Sequence, residues 1–171
     1  SEEKPVVANV NLQLKPGVFT TMVGINGSGK STLLRSLAGL QKPLAGEVYI
    51  DASPISALRT EEKSKWLSVV LTGQQISKNL SVLELVALGR QPYTNWLGKL
   101  SQEDKNHIEQ AIEATALEQL RHTACYALSD GQFQRALIAR ALAQDTPIIM
   151  LDEPTTHLDL HHKASIFSLL K

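Results

Sequence analysis

The sequence predicts an α/β fold: a parallel sheet core, an antiparallel β hairpin at the N-terminus and an inserted α-helical subdomain. Three observations predict it. A glycine-rich loop, residues 24–29, lies between an apolar β-branched run and an amphipathic helix pattern. A second apolar run, residues 147–151, ends in Asp152 and Glu153. Between Leu80 and Tyr126 no segment reads as a strand, while two capping sequences open helices there.

Taken in order, Val6–Leu14 alternates apolar and polar residues, Lys15-Pro16-Gly17 turns, and Val18–Val23 is apolar and β-branched. That pattern predicts the hairpin. Lys30–Leu40 places Leu33, Leu34, Leu37 and Ala38 on one face, a helix stopped near Gly39. Gly46–Ile50 reads as a strand, Ser56–Lys65 as a short helix and Leu67–Thr72 as a buried strand. Ser81-Val82-Leu83-Glu84 is a capping box opening a helix that ends at Gly89. Tyr93–Leu100, with Trp96, is a loop. Ser101–Asp104 repeats the capping form before a helix with an apolar face of Ile108, Ala111, Ile112 and Leu120. A long helix over Gly131–Ala143 precedes the buried strand Pro147–Leu151. The boundaries predicted are a discontinuous core, 1–79 and 127–171, around a helical insert, 80–126.

Composition narrows the function. The 171 residues suffice for a hydrophobic core without staples. Lys+Arg and Asp+Glu are both 17, so no global basic field argues for nucleic acid or an anionic membrane surface. No apolar run approaches the ~20 residues of a membrane-crossing helix. Ser1-Glu2-Glu3-Lys4-Pro5 is no signal peptide. Cys125 is alone, which excludes a disulfide scaffold and reads as a small buried hydrophobe in a cytosolic protein.

The chemistry is concentrated in Gly24-Ile25-Asn26-Gly27-Ser28-Gly29-Lys30-Ser31, which fits G-x-x-x-x-G-K-[ST] and runs on into Thr32. Glycines let successive N–H groups turn inward around a phosphate without a Cβ clash. The following helix aims its positive end at the same anion. Lys30 reaches the β- and γ-phosphates, and the Ser31 hydroxyl is a ligand for Mg²⁺. Asp152 can hold the same metal through its water shell, leaving Glu153 to orient or deprotonate the attacking water. A strand end carrying two carboxylates lies where open α/β sheets bind ligands.

Leu128-Ser129-Asp130-Gly131-Gln132 and Gln134-Arg135-Ala136, followed by Asp152-Glu153-Pro154-Thr155 and Thr156-His157-Leu158-Asp159, complete an ordered set. That set resembles the ATP-binding-cassette (ABC) ATPase family over nearly the whole chain. The resemblance implies a P-loop nucleotidase with a RecA-like core that binds ATP and Mg²⁺ and works as a head-to-tail dimer. Ser129, Asp130, Gly131 and Gln132 would then cap ATP held by the partner's phosphate loop, with His157 and Asp159 in a coupling loop. Read without the resemblance, Leu128–Gln132 is an ordinary Ser-Asp helix cap. Leu83–Thr94, with Trp96-Leu97-Gly98, looks like the helical subdomain of importers for iron-siderophore, haem and cobalamin. A transmembrane permease is the implied partner, placing the chain peripherally on the cytoplasmic face of a membrane. Tyr93 and Trp96 serve either docking or loop packing.

The pattern departs from the family in places. Where the family has a metal-sensing glutamine, this chain has Thr72, with Gln74 just beyond, and either could meet the metal. Asp130 replaces a glycine and should point away from a γ-phosphate. The family's switch histidine lies roughly 20 residues or more beyond the coupling loop, whereas twelve residues follow Asp159. No aromatic precedes Phe19 to stack on adenine. The chain therefore reads as trimmed at both ends, with impaired hydrolysis. His157 and His161 share helical spacing, but no glutamate or cysteine completes a zinc site; His107 and His122 read as surface helix residues. Two other functions compete with the importer: a soluble ABC ATPase acting on nucleic acid or ribosomes, and a fragment that binds nucleotide with little turnover.

Overall fold

The computed structural model describes residues 5–71 and 76–154, which divide into two units between Arg59 and Thr60.

In the first unit, helix α1 (Lys30–Leu37) starts directly from Gly29, whose φ of 90° is left-handed. Its far end closes as the hairpin of hydrogen bonds that left-handed glycines favour. Gly39, at φ 65°, donates to Ser36 O at 3.0 Å, and Leu40 donates to Arg35 O at 2.9 Å. The predicted stop at Gly39 is thus a Schellman motif. Gly39 also lies against Ile55: a Cβ there would meet Ile55 Cδ1 at 3.1 Å. Strands β1 (Tyr49–Ile50) and β2 (Ser53–Pro54) pair antiparallel, Tyr49 opposite Pro54, about a turn in which Asp51 takes φ 51°.

The N-terminal hairpin does not form as expected. Lys15-Pro16-Gly17 does turn, with Gly17 at φ 70°, but no strand forms over residues 5–29. Val6, Val10, Leu12, Leu14, Val18 and Val23 are exposed. A two-stranded ribbon is marginal without a further strand or a helix covering its apolar face, and among the described residues nothing covers these side chains. Alternation supplied the pattern; burial was missing.

The second unit is built around a shared apolar core. Helix α2 (Thr60–Trp66) leads into β3 (Leu67–Val70), which pairs in parallel with β4 (Ile148–Leu151), Val70 opposite Leu151. Between them come α3 (Val82–Ala87), α4 (Gln102–Ala114) and α5 (Asp130–Ala143). Each of these three begins at a serine whose hydroxyl accepts from the N3 amide while the N3 side chain accepts from the serine's own N–H. The pairs are Ser81–Glu84, Ser101–Asp104 and Ser129–Gln132. The helix at Ser81 ends earlier than expected, at Ala87, and tightens into a 3-10 turn over Leu88–Tyr93.

Val70, Val82, Leu85, Val86, Ile108, Ile112, Leu117 and Ala136 are among the residues of that core. The predicted apolar face of α4 is buried at Ile108, Ala111 and Ile112, whereas Leu120 falls in a separate 3-10 turn and is only half-buried. Burial of one such leucine or isoleucine contributes roughly 1.5–3 kcal/mol. β3 is buried as predicted; β4, expected to be buried, is half-buried along its length. Among the described residues only β3 pairs with it, so β4 lacks a neighbour on its other side. His107 lies on α4, but His122 sits in a turn and not on a helix.

Candidate functional site

The first unit presents a glycine-rich loop that runs directly into the N-terminus of α1. Gly27 (φ 79°) and Gly29 (φ 90°) take backbone conformations that side-chain-bearing residues adopt only with strain. At Gly29 space is also closed: a Cβ would lie 2.4 Å from Val7 Cγ2 and 2.9 Å from Val6 Cγ1. At Gly24 it would lie 2.8 Å from Ser28 Oγ. The loop is tied by Ser28 N–H donating to Ile25 O at 3.2 Å. Lys30 Nζ donates to Gly24 O and Ile25 O, both at 2.9 Å, so the ammonium is folded over the loop. Glycine geometry, an adjacent helix N-terminus and one ammonium are what a polyphosphate needs. Asn26, Ser31 and Thr32 continue the same segment, the last two in the first turn of α1.

The second unit presents two carboxylates at the C-terminal edge of its parallel pair. The Asp152 N–H donates to Val70 O at 2.8 Å, continuing the β3–β4 ladder by one residue. Asp152 is buried. Glu153, next along, is exposed and takes φ 48°, a left-handed conformation before Pro154. Such a backbone costs roughly 1–2 kcal/mol for a residue with a Cβ. The turn separates the two side chains, one inward and one to solvent, which suits a metal-holding group and a water-facing base respectively. The Ser31 hydroxyl and the Asp152 carboxylate are hard oxygen donors of the kind Mg²⁺ takes.

Ser129 caps α5, accepting from Gln132 N–H at 3.2 Å, while Gln132 Oε1 accepts from Ser129 N–H at 2.9 Å. Each side chain therefore accepts from the other's backbone N–H within this chain. Asp130 is exposed in the first helical turn, where a carboxylate favours the helix dipole. Thr72, Gln74, His157 and Asp159 lie outside the described residues. Tyr93 and Trp96 part company: the Tyr93 ring lies 4.0 Å from the Arg90 guanidinium carbon, whereas Trp96 is 91% exposed.

What the sequence did not reveal is a buried ion pair behind α5. Arg90 Nε donates to Asp104 Oδ1 at 2.8 Å and Arg90 Nη1 to Ala143 O at 2.9 Å, with both charged side chains buried. The Ser101 hydroxyl, foremost, together with the Ser101 N–H and Arg90, holds the Asp104 carboxyl at a pKa of about 2, against the opposing effect of burial. Asp104 had been legible only as a helix cap.

Similarity to known proteins agrees with this geometry. The ABC transporter family profile matches residues 7–156. The chain is 47% identical over 165 residues to a Bacillus subtilis protein named "Probable siderophore transport system ATP-binding protein", covering 96% of this chain and 60% of that one. It is 42% identical over 168 residues to a petrobactin import ATP-binding protein of Bacillus anthracis, covering 98% and 62%. Among solved structures, it superposes with a TM-score of 0.85 and 35% identity on an ATP-binding cassette in a dimeric post-hydrolysis state bound to ADP and Pi, covering 96% and 73%. The chain spans about three fifths of the length of these curated relatives.

Proposed function

The chain belongs to the ABC transporter family, and from that premise we propose that it is the ATP-binding and ATP-hydrolysing subunit of an importer for an iron chelate, haem or cobalamin. The carrying observation is the Gly24–Ser31 loop, with two left-handed glycines and the Lys30 ammonium folded over it. The importer class is supported by relatives whose names specify siderophore transport and petrobactin import.

In this reading the loop N–H groups and Lys30 hold the β- and γ-phosphates. Ser31 and Asp152 would hold Mg²⁺, which offsets phosphate charge, with Thr72 or Gln74 as a further metal contact. Glu153 accepts the proton of the attacking water. Ser129, Asp130, Gly131 and Gln132 cap the nucleotide of a second copy in a head-to-tail dimer, a role supported by the dimeric cassette that this chain resembles. For that, Ser129 must offer its hydroxyl outward while keeping the cap, and Asp130 must stay turned to solvent. His157 and Asp159 belong to the loop coupling the two sites, and a membrane permease is the second partner. Among the described residues no helix is long and apolar enough to cross a membrane.

Glu153→Gln tests the assignment. The amide keeps the shape but accepts no proton, so phosphate release should fall by ~10²-fold or more while fluorescent-nucleotide affinity stays within about twofold. Unchanged turnover would remove Glu153 from the chemistry.

A further inference from the structure

Helix α5 carries Ser129 at one end and meets a polar junction at the other. We infer that Arg90 is a positioning residue: by clamping the C-terminal end of α5 it fixes where the Ser129–Gln132 turn lies. The inference rests on the proposed role of that turn in capping nucleotide.

The buried surface of α5 is made mostly of small side chains: Ala136, Ala139, Ala141 and Ala143 are buried around the helix, together with Leu137 and Ile138. Small side chains allow α3 and α4 to pack closely against α5 and leave few long side chains to fix its tilt, so polar ties along the helix add to its orientation. Towards its N-terminal end, besides the capping box, Arg135 Nη1 donates to Thr115 O at 3.0 Å and Ala116 O at 3.2 Å, and Lys78 Nζ lies 5.0 Å from the Phe133 ring. The C-terminal end has three attachments from elsewhere in the chain.

First, the 3-10 turn over Leu88–Tyr93 sits directly on the last turn of α5. A Cβ on Gly89 would lie 2.3 Å from Arg140 O and 3.2 Å from Gln144 N. Only glycine permits that approach. Second, Arg90 Nη1 donates to Ala143 O at 2.9 Å, supplying a partner to a carbonyl that the helix itself leaves over. The same guanidinium donates through Nε to Asp104, the residue that closes the N-terminal cap of α4. One cation therefore joins the negative end of α5 to the acidic cap of α4, a sense favoured by both helix dipoles. Tyr93 covers the guanidinium from one face at 4.0 Å. Third, the Gln144 side-chain amide donates to Ser64 O at 2.6 Å and Leu67 O at 3.1 Å, tying the helix end to the α2–β3 connection.

The lever is short and stiff. Fourteen residues span ~21 Å, so a tilt of ~6° about the helix centre moves the Ser129 end by ~1 Å. A displacement of that size at a group that must meet a phosphate can cost ~10²-fold.

The test uses the full-length protein with Arg90→Met, Gly89→Ala and the milder Arg90→Lys, which keeps the charge but lacks the planar fork. Amide exchange is followed at residues 130–134 and, as an internal reference, at 108–112 of α4. ATP-driven self-association is measured in a Glu153→Gln background, with fluorescent-nucleotide affinity alongside. The expected result is exchange at 130–134 accelerated at least ~10-fold more than at 108–112, self-association weakened at least ~10-fold, and nucleotide affinity within about twofold of the parent. Parental exchange at 130–134 in the folded variants would overturn the inference, and so would an equal rise at both segments, which is lost stability alone. Should the parent itself not associate with ATP, the proposed function fails, and the exchange comparison, read in the monomer, still decides the clamp. If Arg90→Met or Gly89→Ala does not fold, Arg90→Lys carries the measurement.

Discussion

The two units reach order by different means. Among the described residues, three buried apolar residues fall before Thr60, Ala38, Ile50 and Ile55, against sixteen after it. The phosphate-loop unit is specified by backbone devices acting over a few residues: left-handed glycines, a Schellman stop, a lysine folded onto its own loop. The helical unit is specified by burial, with α3, α4, α5 and both parallel strands feeding one core. Local chemistry is thus concentrated where the core is thin, and long-range packing where the chemistry consists of two carboxylates at a strand end. A loop shaped by its own glycines owes its conformation to residues within a few positions of it.

That contrast can be broken by mutation. The largest effect is expected from Leu85→Ala, in the helical unit. Leu85 is fully buried, and its truncation should cost ~2–5 kcal/mol. Urea denaturation should show that loss, while nucleotide affinity per folded molecule is unchanged; a parallel loss of affinity would mean that the two units are not independent. Next is Lys30→Ala, which should weaken fluorescent-nucleotide binding ~10²-fold or more, since the β/γ-phosphate charge loses its ammonium. Its melting temperature without nucleotide should match the parent, because among the described residues Lys30 bonds carbonyls of its own loop.

Smaller still is Ser129→Ala. Losing the cap should cost ~1 kcal/mol by the same denaturation measurement. In the proposed dimer it should also weaken ATP-driven self-association, an effect that Ser101→Ala, a cap of the same form on α4, should lack. A further effect concerns acid. Asp104 is held at about pH 2, below its ordinary 3.8. Its contribution to stability is therefore complete above about 3.8 and lost as the pH falls toward 2. Denaturant midpoints at pH 5 and pH 2.5 should differ less in Asp104→Asn than in the parent, although the variant starts lower.

The comparison also explains what was legible. The phosphate loop and all three serine-led caps act over a few residues, so sequence spacing reveals them. Asp152 and Glu153 were legible because an apolar run ends there. The hairpin over 6–23 was misread because alternation reports a surface suited to burial, whereas strand formation also needs a partner to bury it. The Arg90 junction was invisible for the opposite reason. Its partners are Asp104, Ala143 and, beside it, the Gln144 link to Ser64 and Leu67, spacings of 14 to 80 residues that no periodicity connects. Four predicted site residues, Thr72, Gln74, His157 and Asp159, lie outside the described residues.

Glu153 exits β4 with a left-handed φ immediately before a proline. A sequence optimised for folding alone would carry glycine or asparagine there, relieving the backbone and discarding the carboxylate proposed as the base. In the proposed reading, selection for turnover and selection for thermal endurance pull in opposite directions at this position. Stabilised variants obtained by screening for heat resistance would then be enriched for relaxation at 153, outlasting their parent while losing the proposed base.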